Sequence, residues 1–394
     1  MMRAFSLAEA RQWTGATCTH SGLEGIEFTG VSTDTRSIGP GQLFVALRGD
    51  NFDGHGFLQM ARDCGAVAAV VDEADATVDL PQLVVADTVD ALAQLAGGNR
   101  NESSARLVAV TGSSGKTTVR EMTAAILAQL GPTLATSGNL NNHIGVPLTL
   151  FGLAPEHRYG AIELGASGLG EIAHTVAITR PQVVMLTNAG TAHLEGFGSY
   201  ENIVQAKGEI IDGVEDGGLV VLNRDDPAFD QWQARAGHRR VVSVSREDNI
   251  DADYVVKAVQ SQAPGQSFQV IGPDGWSCTL GLALAGEHNQ TNAMLAIAAA
   301  RELGADDQAI VAGLAALAPV KGRLQNIELA PGLTVIDDSY NANPASMKPR
   351  SVSWPSRKVS ASPCSAPWPN WVRRPRPCTG KWVSSPILNR LNVC

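Results

Sequence analysis

Between Val110 and Met122 the sequence reads VTGSSGKTTVREM. Gly112, Ser113, Ser114, Gly115, Lys116, Thr117 and Thr118 stand between a predicted strand, RLVAVT, and a predicted helix, TTVREMTAAILAQL, which is the context a phosphate-binding loop requires. Glycines let backbone N–H groups surround phosphate oxygens, the helix N-terminus adds its dipole, Lys116 supplies a cation and the Thr117 hydroxyl can reach Mg2+. The first glycine of the usual G-x-x-x-x-G-K-[ST] pattern is replaced by Val110, so the loop is a variant. A tight strand-to-helix turn without a ligand is the competing reading.

Two further residues follow strand ends, where ligands gather in an open α/β sheet. Glu163 ends AIELG, and His193, in NAGTAHLEGFGS, follows the next strand and could join it on a second Mg2+. Alone, each reads as an ordinary surface or core residue; beside a phosphate loop both become candidate ligands. Lys207, in QAKGEI, reads by itself as a solvated helix residue.

These residues need a scaffold, and the chain supplies an α/β pattern. Residues 1 to about 100 alternate short apolar runs such as QLFVAL with turn-rich segments such as RGDNFDGHGF, which predicts a small α/β domain. From residue 101 to about 325, strands of Val, Ile and Leu without polar alternation (YGAIELG, PQVVMLTN, GGLVVLN) are separated by helices, which predicts a parallel sheet covered on both faces. GEHNQTNAMLAIAAARELG is a long helix with Gly304 as its stop signal. LTVIDDSY reads as the opening strand of a further α/β unit.

Composition narrows the function. A chain of 394 residues is too long for one ordinary core, so two or three domains are expected. No apolar run approaches the roughly 18 residues of a membrane span, and Glu9 interrupts the start where a signal peptide would be apolar, so the cytosol is the expected compartment. Six cysteines without a CxxC pair give neither a zinc pattern nor a disulfide framework. The net charge of −9 argues against a nucleic-acid-binding face and for a small-molecule substrate. That figure hides an asymmetry: the last acidic residue is Asp338, and residues 1–338 hold 21 Lys or Arg against 39 Asp or Glu, a balance of −18. The remainder carries nine basic residues, four of the seven tryptophans and nine of the twenty prolines, and shows neither helical nor strand period. Residues 349–394 therefore read as an aberrant, unpacked basic tail, with an out-of-frame translation favoured over a genuine binding arm.

The motifs TGSSGKTT, IELGAS, TNAGTAHLEGFGS, QAKGEI, GEHNQTNAMLA, KGRLQ and DDSYNANPASM occur in an order that resembles the Mur ligases of peptidoglycan synthesis, over residues 26 to 347. SGNLNNHIGVPLTL and DDSYNANPASM most resemble the branch that adds D-alanyl-D-alanine to UDP-N-acetylmuramoyl-tripeptide. The resemblance implies ATP and Mg2+ as cofactors, with Lys116 on the β and γ phosphates, Thr117 and Glu163 on one Mg2+ and His193 on a second. Asn289 and Asn292 match positions near the adenine, Arg323 an ATP-contacting arginine and Asp338 a ribose-contacting aspartate, with Tyr340 and Asn341 beside it. Lys207 matches a lysine that some relatives carry as a carbamate. Asp34, Arg36, Asp53 and His55 match loops that receive the uridine diphosphate, although turn-forming Asp and Gly would also explain the second loop. Asn139, Asn141 and Asn142 match a loop facing the reacting peptide.

The implied reaction is amide formation through an acyl phosphate, in which positioning and charge neutralisation are the protein's main tasks. The resemblance stops near Lys348, where the family continues into a Rossmann-like domain of on the order of 100 residues. The expected architecture is thus a UDP-muropeptide domain (1–100), a P-loop ATPase-type domain (101–325) and the start of a ligase domain (326–348), the rest of which is missing. Such a chain, expected to be a monomer, would bind UDP-muropeptide or nucleotide and ligate poorly or not at all. A sibling ligase, acting on another muropeptide or adding glutamate to folate, and a non-catalytic nucleotide-binding protein with a basic tail are the alternatives.

Overall fold

The computed structural model describes residues 2–317, apart from 21, 23, 50–51, 191–193, 248, 250 and 262–264, together with the strands Gln325–Ala330 and Leu333–Asp337. Met1–Asn341 forms one compact unit. His193, Arg323, Asp338, Tyr340, Asn341 and the tail from 349 lie outside the described residues.

Local chemistry starts and stops the helices. Ser6 and Glu9 form a reciprocal capping box at the head of α1 (Leu7–Thr14), and Gly15 closes it at φ +66°. Glu9, which interrupts the apolar start of the chain, is thus a cap. Asp87 caps α2 (Thr88–Asn101) by accepting from Val89 N–H and Asp90 N–H at 2.7 and 3.0 Å.

The first sheet contains β1 (Thr17–Cys18), β2 (Gly30–Ser32), β3 (Gln42–Val45), β4 (Ala68–Val71) and β5 (Gln82–Val84), in the order β1-β5-β4-β3-β2. All its pairings are parallel except β1 with β5.

The second sheet holds β6 (Arg106–Thr111), β7 (Thr133–Ala135), β8 (Tyr159–Glu163), β9 (Val183–Leu186), β10 (Leu219–Asn223), β11 (Arg240–Ser245), β12 (Tyr254–Ser261), β13 (Gln266–Ile271) and β14 (Ser277–Leu282). Their order is β7-β8-β6-β9-β10-β11-β12-β13-β14. The predicted parallel strands all form, and α3 (Lys116–Leu127) follows β6 as expected. Alternation along them sorts side chains between two cores. Leu107, Ala109, Val184, Leu186, Val220 and Leu222 face one, while Val108, Val110, Val183, Met185, Leu219 and Val221 face the other. The first core also takes Leu43, Val45, Val70 and Leu83 of the small sheet and Leu92 and Leu95 of α2. The second is closed by α3, α8 (His288–Glu302) and α9 (Asp307–Ala315).

The sequence reading is corrected in one place. The sheet is mixed: β12, β13 and β14 pair antiparallel. Burial alternates along β13 and β14, the signature of strands with one solvated face, which a search for continuous apolar runs passes over. Leu333–Asp337, within LTVIDDSY, forms the expected strand and pairs antiparallel with Gln325–Ala330, while the unit it was expected to open lies outside the described residues. Gly304, at φ +100°, sits just beyond α8 as its stop.

Candidate nucleotide site

Strand β6 delivers the chain to the loop at its C-terminal end, and two glycines make the turn possible. Gly112 sits at φ +144° and Gly115 at φ +82°. A Cβ on Gly112 would lie 1.9 Å from Thr187 Oγ1, and one on Gly115 would lie 2.8 Å from Asn292 Oδ1. Gly115 is the N-cap of α3 and has no side chain to offer its first turn.

Three elements converge beyond this turn. Thr117 Oγ1 donates to Glu163 Oε2 at 2.9 Å, and Asn141 Nδ2 donates to Glu163 Oε1 at 2.9 Å. Glu163 is 3% exposed; its carboxylate accepts from these two groups, and its backbone N–H donates to Thr136 Oγ1 at 2.9 Å. The buried Arg120 donates to Thr136 O and pairs with Glu121. Lys116 Nζ donates to Gly112 O at 2.8 Å, folding back over the loop. A threonine hydroxyl and a carboxylate this close make a hard oxygen pair of the kind that Mg2+ accepts alongside phosphate oxygens and water. The residues present therefore fit that ion.

Lys207 is corrected from the sequence reading. Rather than being solvated, it is 3% exposed on α6 (Tyr200–Asp212), with Nζ 3.3 Å from Ala166 O and 5.0 Å from the Phe197 ring centre. Burial, with Lys116 nearby, pulls its ammonium down to about 7, against the attraction of Glu171 and Glu209. Glu209, two residues further along the same helix, accepts from Gly170 N–H at 2.8 Å and Ala173 N–H at 3.0 Å and so fixes the start of α5 (Glu171–Thr179).

Asn289 and Asn292 are buried on α8, with Asn292 Nδ2 donating to Asn289 Oδ1 at 3.0 Å, and Asn292 packs against Gly115. Of the three asparagines before α4 (Gly145–Leu150), Asn141 reaches Glu163, whereas Asn142 accepts from Gly145 N–H at 2.8 Å and Asn139 contributes its carbonyl to Asn141 N–H at 2.7 Å.

The residues expected at the uridine diphosphate sit with the small sheet. Arg36, 87% exposed at its side chain, clasps Asp34 through Nε at 2.9 Å and holds that carboxyl down at about 2. Asp53 accepts from His55 N–H at 2.9 Å and lies 2.7 Å from His55 Nδ1, while Asp72 N–H donates to His55 Nε2 at 3.2 Å. Arg48 joins the cluster through Asp53 and through Asp72 at 2.9 Å. The turn reading of the second loop thus has support, because Asp53 caps the turn at Gly54–Phe57.

Sequence reasoning passed over Arg48, Asp72, Arg120, Thr136, Thr187, Asn188, Glu209 and Asp226. Only Thr187 and Asn188 carried a signal, as residues directly after a buried strand.

Residues 110–300 match the model of the Mur ligase middle domain, and residues 27–100 that of the Mur ligase family catalytic domain. The UDP-N-acetylmuramoyl-tripeptide--D-alanyl-D-alanine ligase of Escherichia coli is 47% identical over 327 residues, covering 82% of this chain and 72% of that protein. A crystal structure of MurF from Acinetobacter baumannii superimposes with a TM-score of 0.84 at 37% identity, over 89% of this chain and 76% of the other. The MurF ligase of Thermotoga maritima, solved in complex with ADP, gives 0.72 at 30% identity over 82% and 74%.

Proposed function

The chain belongs to the Mur ligase family, and from that premise we propose that it joins D-alanyl-D-alanine to UDP-N-acetylmuramoyl-tripeptide at the expense of ATP. The observation that carries the reading is the Thr117–Glu163–Asn141 arrangement beneath a phosphate loop, in a chain 47% identical to a ligase of that name.

The γ-phosphoryl group moves from ATP to a carboxylate oxygen of the tripeptide, and ADP leaves. The amine of D-alanyl-D-alanine then attacks the acyl carbon, the ammonium proton is lost, phosphate departs and the amide remains. Both first-step reactants are anions, so approach must be made tolerable by fixed positive charge and by alignment. Lys116 and the loop N–H groups beyond Ser114 bind the β and γ phosphates. Thr117 and Glu163 would hold one Mg2+, with His193 serving a second. Bound there, the ion neutralises phosphate charge and polarises the transferring group. Lys207 matches a lysine that some relatives carry as a carbamate, which would supply a carboxylate for the second Mg2+. Asn289 and Asn292 serve the base, together with Arg323, Asp338, Tyr340 and Asn341. Asn139, Asn141 and Asn142 face the peptide, and Asp34, Arg36, Asp53 and His55 serve the uridine diphosphate. The reaction belongs to the cytosol, where ATP is available, and a monomer suffices for it. Among the described residues no helix is long and apolar enough to cross a membrane.

The test is mass spectrometry of the product formed from ATP, Mg2+, UDP-N-acetylmuramoyl-tripeptide and D-alanyl-D-alanine. The pentapeptide nucleotide should appear slowly, with one ADP per amide, and omission of any substrate should abolish it. ADP formation indifferent to the tripeptide, or supported only by a folate acceptor, would overturn the reading.

A further inference from the structure

A loop of glycines and serines has little intrinsic shape, so the N–H groups that meet a phosphate must be held in place by something outside the loop. In this chain that support comes from the end of β9, the strand paired directly with β6. Ser113 N–H donates to Asn188 O at 2.9 Å, and Ser114 N–H donates to Asn188 Oδ1 at 3.0 Å. Asn188 Nδ2 returns a bond to Ser114 O at 3.2 Å, so its carboxamide pairs with both polar groups of one peptide residue as a neighbouring strand would. Thr187 Oγ1 donates to the same carbonyl at 2.6 Å, and Ser113 Oγ donates to Gly190 O at 3.0 Å.

The segment 187–190 is itself held from behind. Asn223 Nδ2, at the end of β10, donates to Thr187 O at 3.0 Å. Asp226, 8% exposed, accepts from Ala189 N–H through Oδ2 and from Ala228 N–H through Oδ1, each at 2.9 Å. A buried carboxylate is costly unless it organises donors around it, and these two amides are its donors. Asn188, Asn223 and Asp226 lie outside the set that binds nucleotide or metal in the reading above.

We propose that Asn188 and Asp226 are positioning residues for the phosphate loop: Asp226 fixes Ala189, and Asn188 thereby fixes Ser113 and Ser114. The proposal rests on the nucleotide reading of that loop. It assigns the pair a role that depends on where phosphate sits. Misplacing the loop should weaken ligands in proportion to their contact with it, so a nucleoside diphosphate should suffer and a monophosphate, which lacks the β phosphate, should not.

The experiment titrates ADP and AMP, each with Mg2+, into the full chain and into Asp226→Asn and Asn188→Ala by calorimetry, with thermal melts to confirm folding. Both variants should lose about 10-fold or more in ADP affinity while AMP stays within about twofold. Unchanged ADP affinity, or equal losses for ADP and AMP, would overturn the proposal. Asn188 is only partly buried, so Asn188→Ala decides alone if Asp226→Asn does not fold. Should the unaltered chain bind AMP and ADP equally, the phosphate-loop reading itself falls first, and the positioning role with it.

Discussion

Glu163 is a buried carboxylate whose two oxygens accept from Thr117 and Asn141. Replacing it by the isosteric glutamine removes charge while keeping the shape, and burial of an ionised group stabilises a fold weakly at best. Glu163→Gln should therefore leave the melting temperature equal or raised, yet lower turnover by about 100-fold or more through loss of a metal ligand. A variant that melts normally and retains full activity would remove Glu163 from the site. Lys207 makes a pH-dependent prediction. Its folded value of about 7 lies below the unfolded 10.5, so between those values the unfolded chain binds more protons and stability rises with pH. Lys207→Met should accordingly raise the thermal midpoint most at pH 6, with the gain shrinking toward pH 10. A gain independent of pH would show that Lys207 carries no buried charge.

At the scale of elements, the strand-loop-helix unit around residues 106–127 was legible because strand, glycine and helix signals coincide within one short window. What surrounds it was less so. The close approach of Thr187 to Gly112, and the hydrogen bond from Ser114 to Asn188, join residues more than 70 positions apart, and no local pattern encodes which distant hydroxyl meets which glycine. The same distance concealed the burial of Lys207, since α6 shows an ordinary amphipathic pattern and only the fold places this residue against Phe197 and Ala166. Gly112→Ala tests the close approach. A Cβ there meets Thr187 Oγ1 while φ is +144°, so the variant should lose about 1–3 kcal/mol of stability and nearly all nucleotide binding, read by thermal melt and calorimetry. Retained binding would show that the loop tolerates another path.

At the scale of the whole molecule, one core runs from the small sheet through α2 to one face of the large sheet, so residues that reading in segments treats separately share packing. Arg100 fastens this arrangement at the end of the sheet remote from the phosphate loop. Its guanidinium donates to the carbonyls of Thr179 at 2.8 Å, Arg180 at 2.9 Å and Ser103 at 3.0 Å, beside a polar cavity of about 260 Å3. Arg100→Met would strand carbonyls at the end of α5 and should cost about 2–4 kcal/mol in chemical denaturation while leaving ADP affinity within about twofold of the unaltered chain. A large affinity loss with little destabilisation would instead tie Arg100 to the nucleotide site. The parallel core of the large sheet could be read from runs of Val, Ile and Leu; its antiparallel extension could not, because β13 and β14 bury only alternate residues.

The central claim is that this site transfers phosphoryl from ATP to the muropeptide carboxylate, and the most direct measurement omits D-alanyl-D-alanine. ATP, Mg2+ and UDP-N-acetylmuramoyl-tripeptide are incubated with the chain and hydroxylamine, which converts an acyl phosphate to a hydroxamate detectable by mass. The hydroxamate of the tripeptide should form only with all components present and disappear with Glu163→Gln. Its absence from the unaltered chain while ADP binds normally, or its formation by Glu163→Gln at the unaltered rate, would contradict the account.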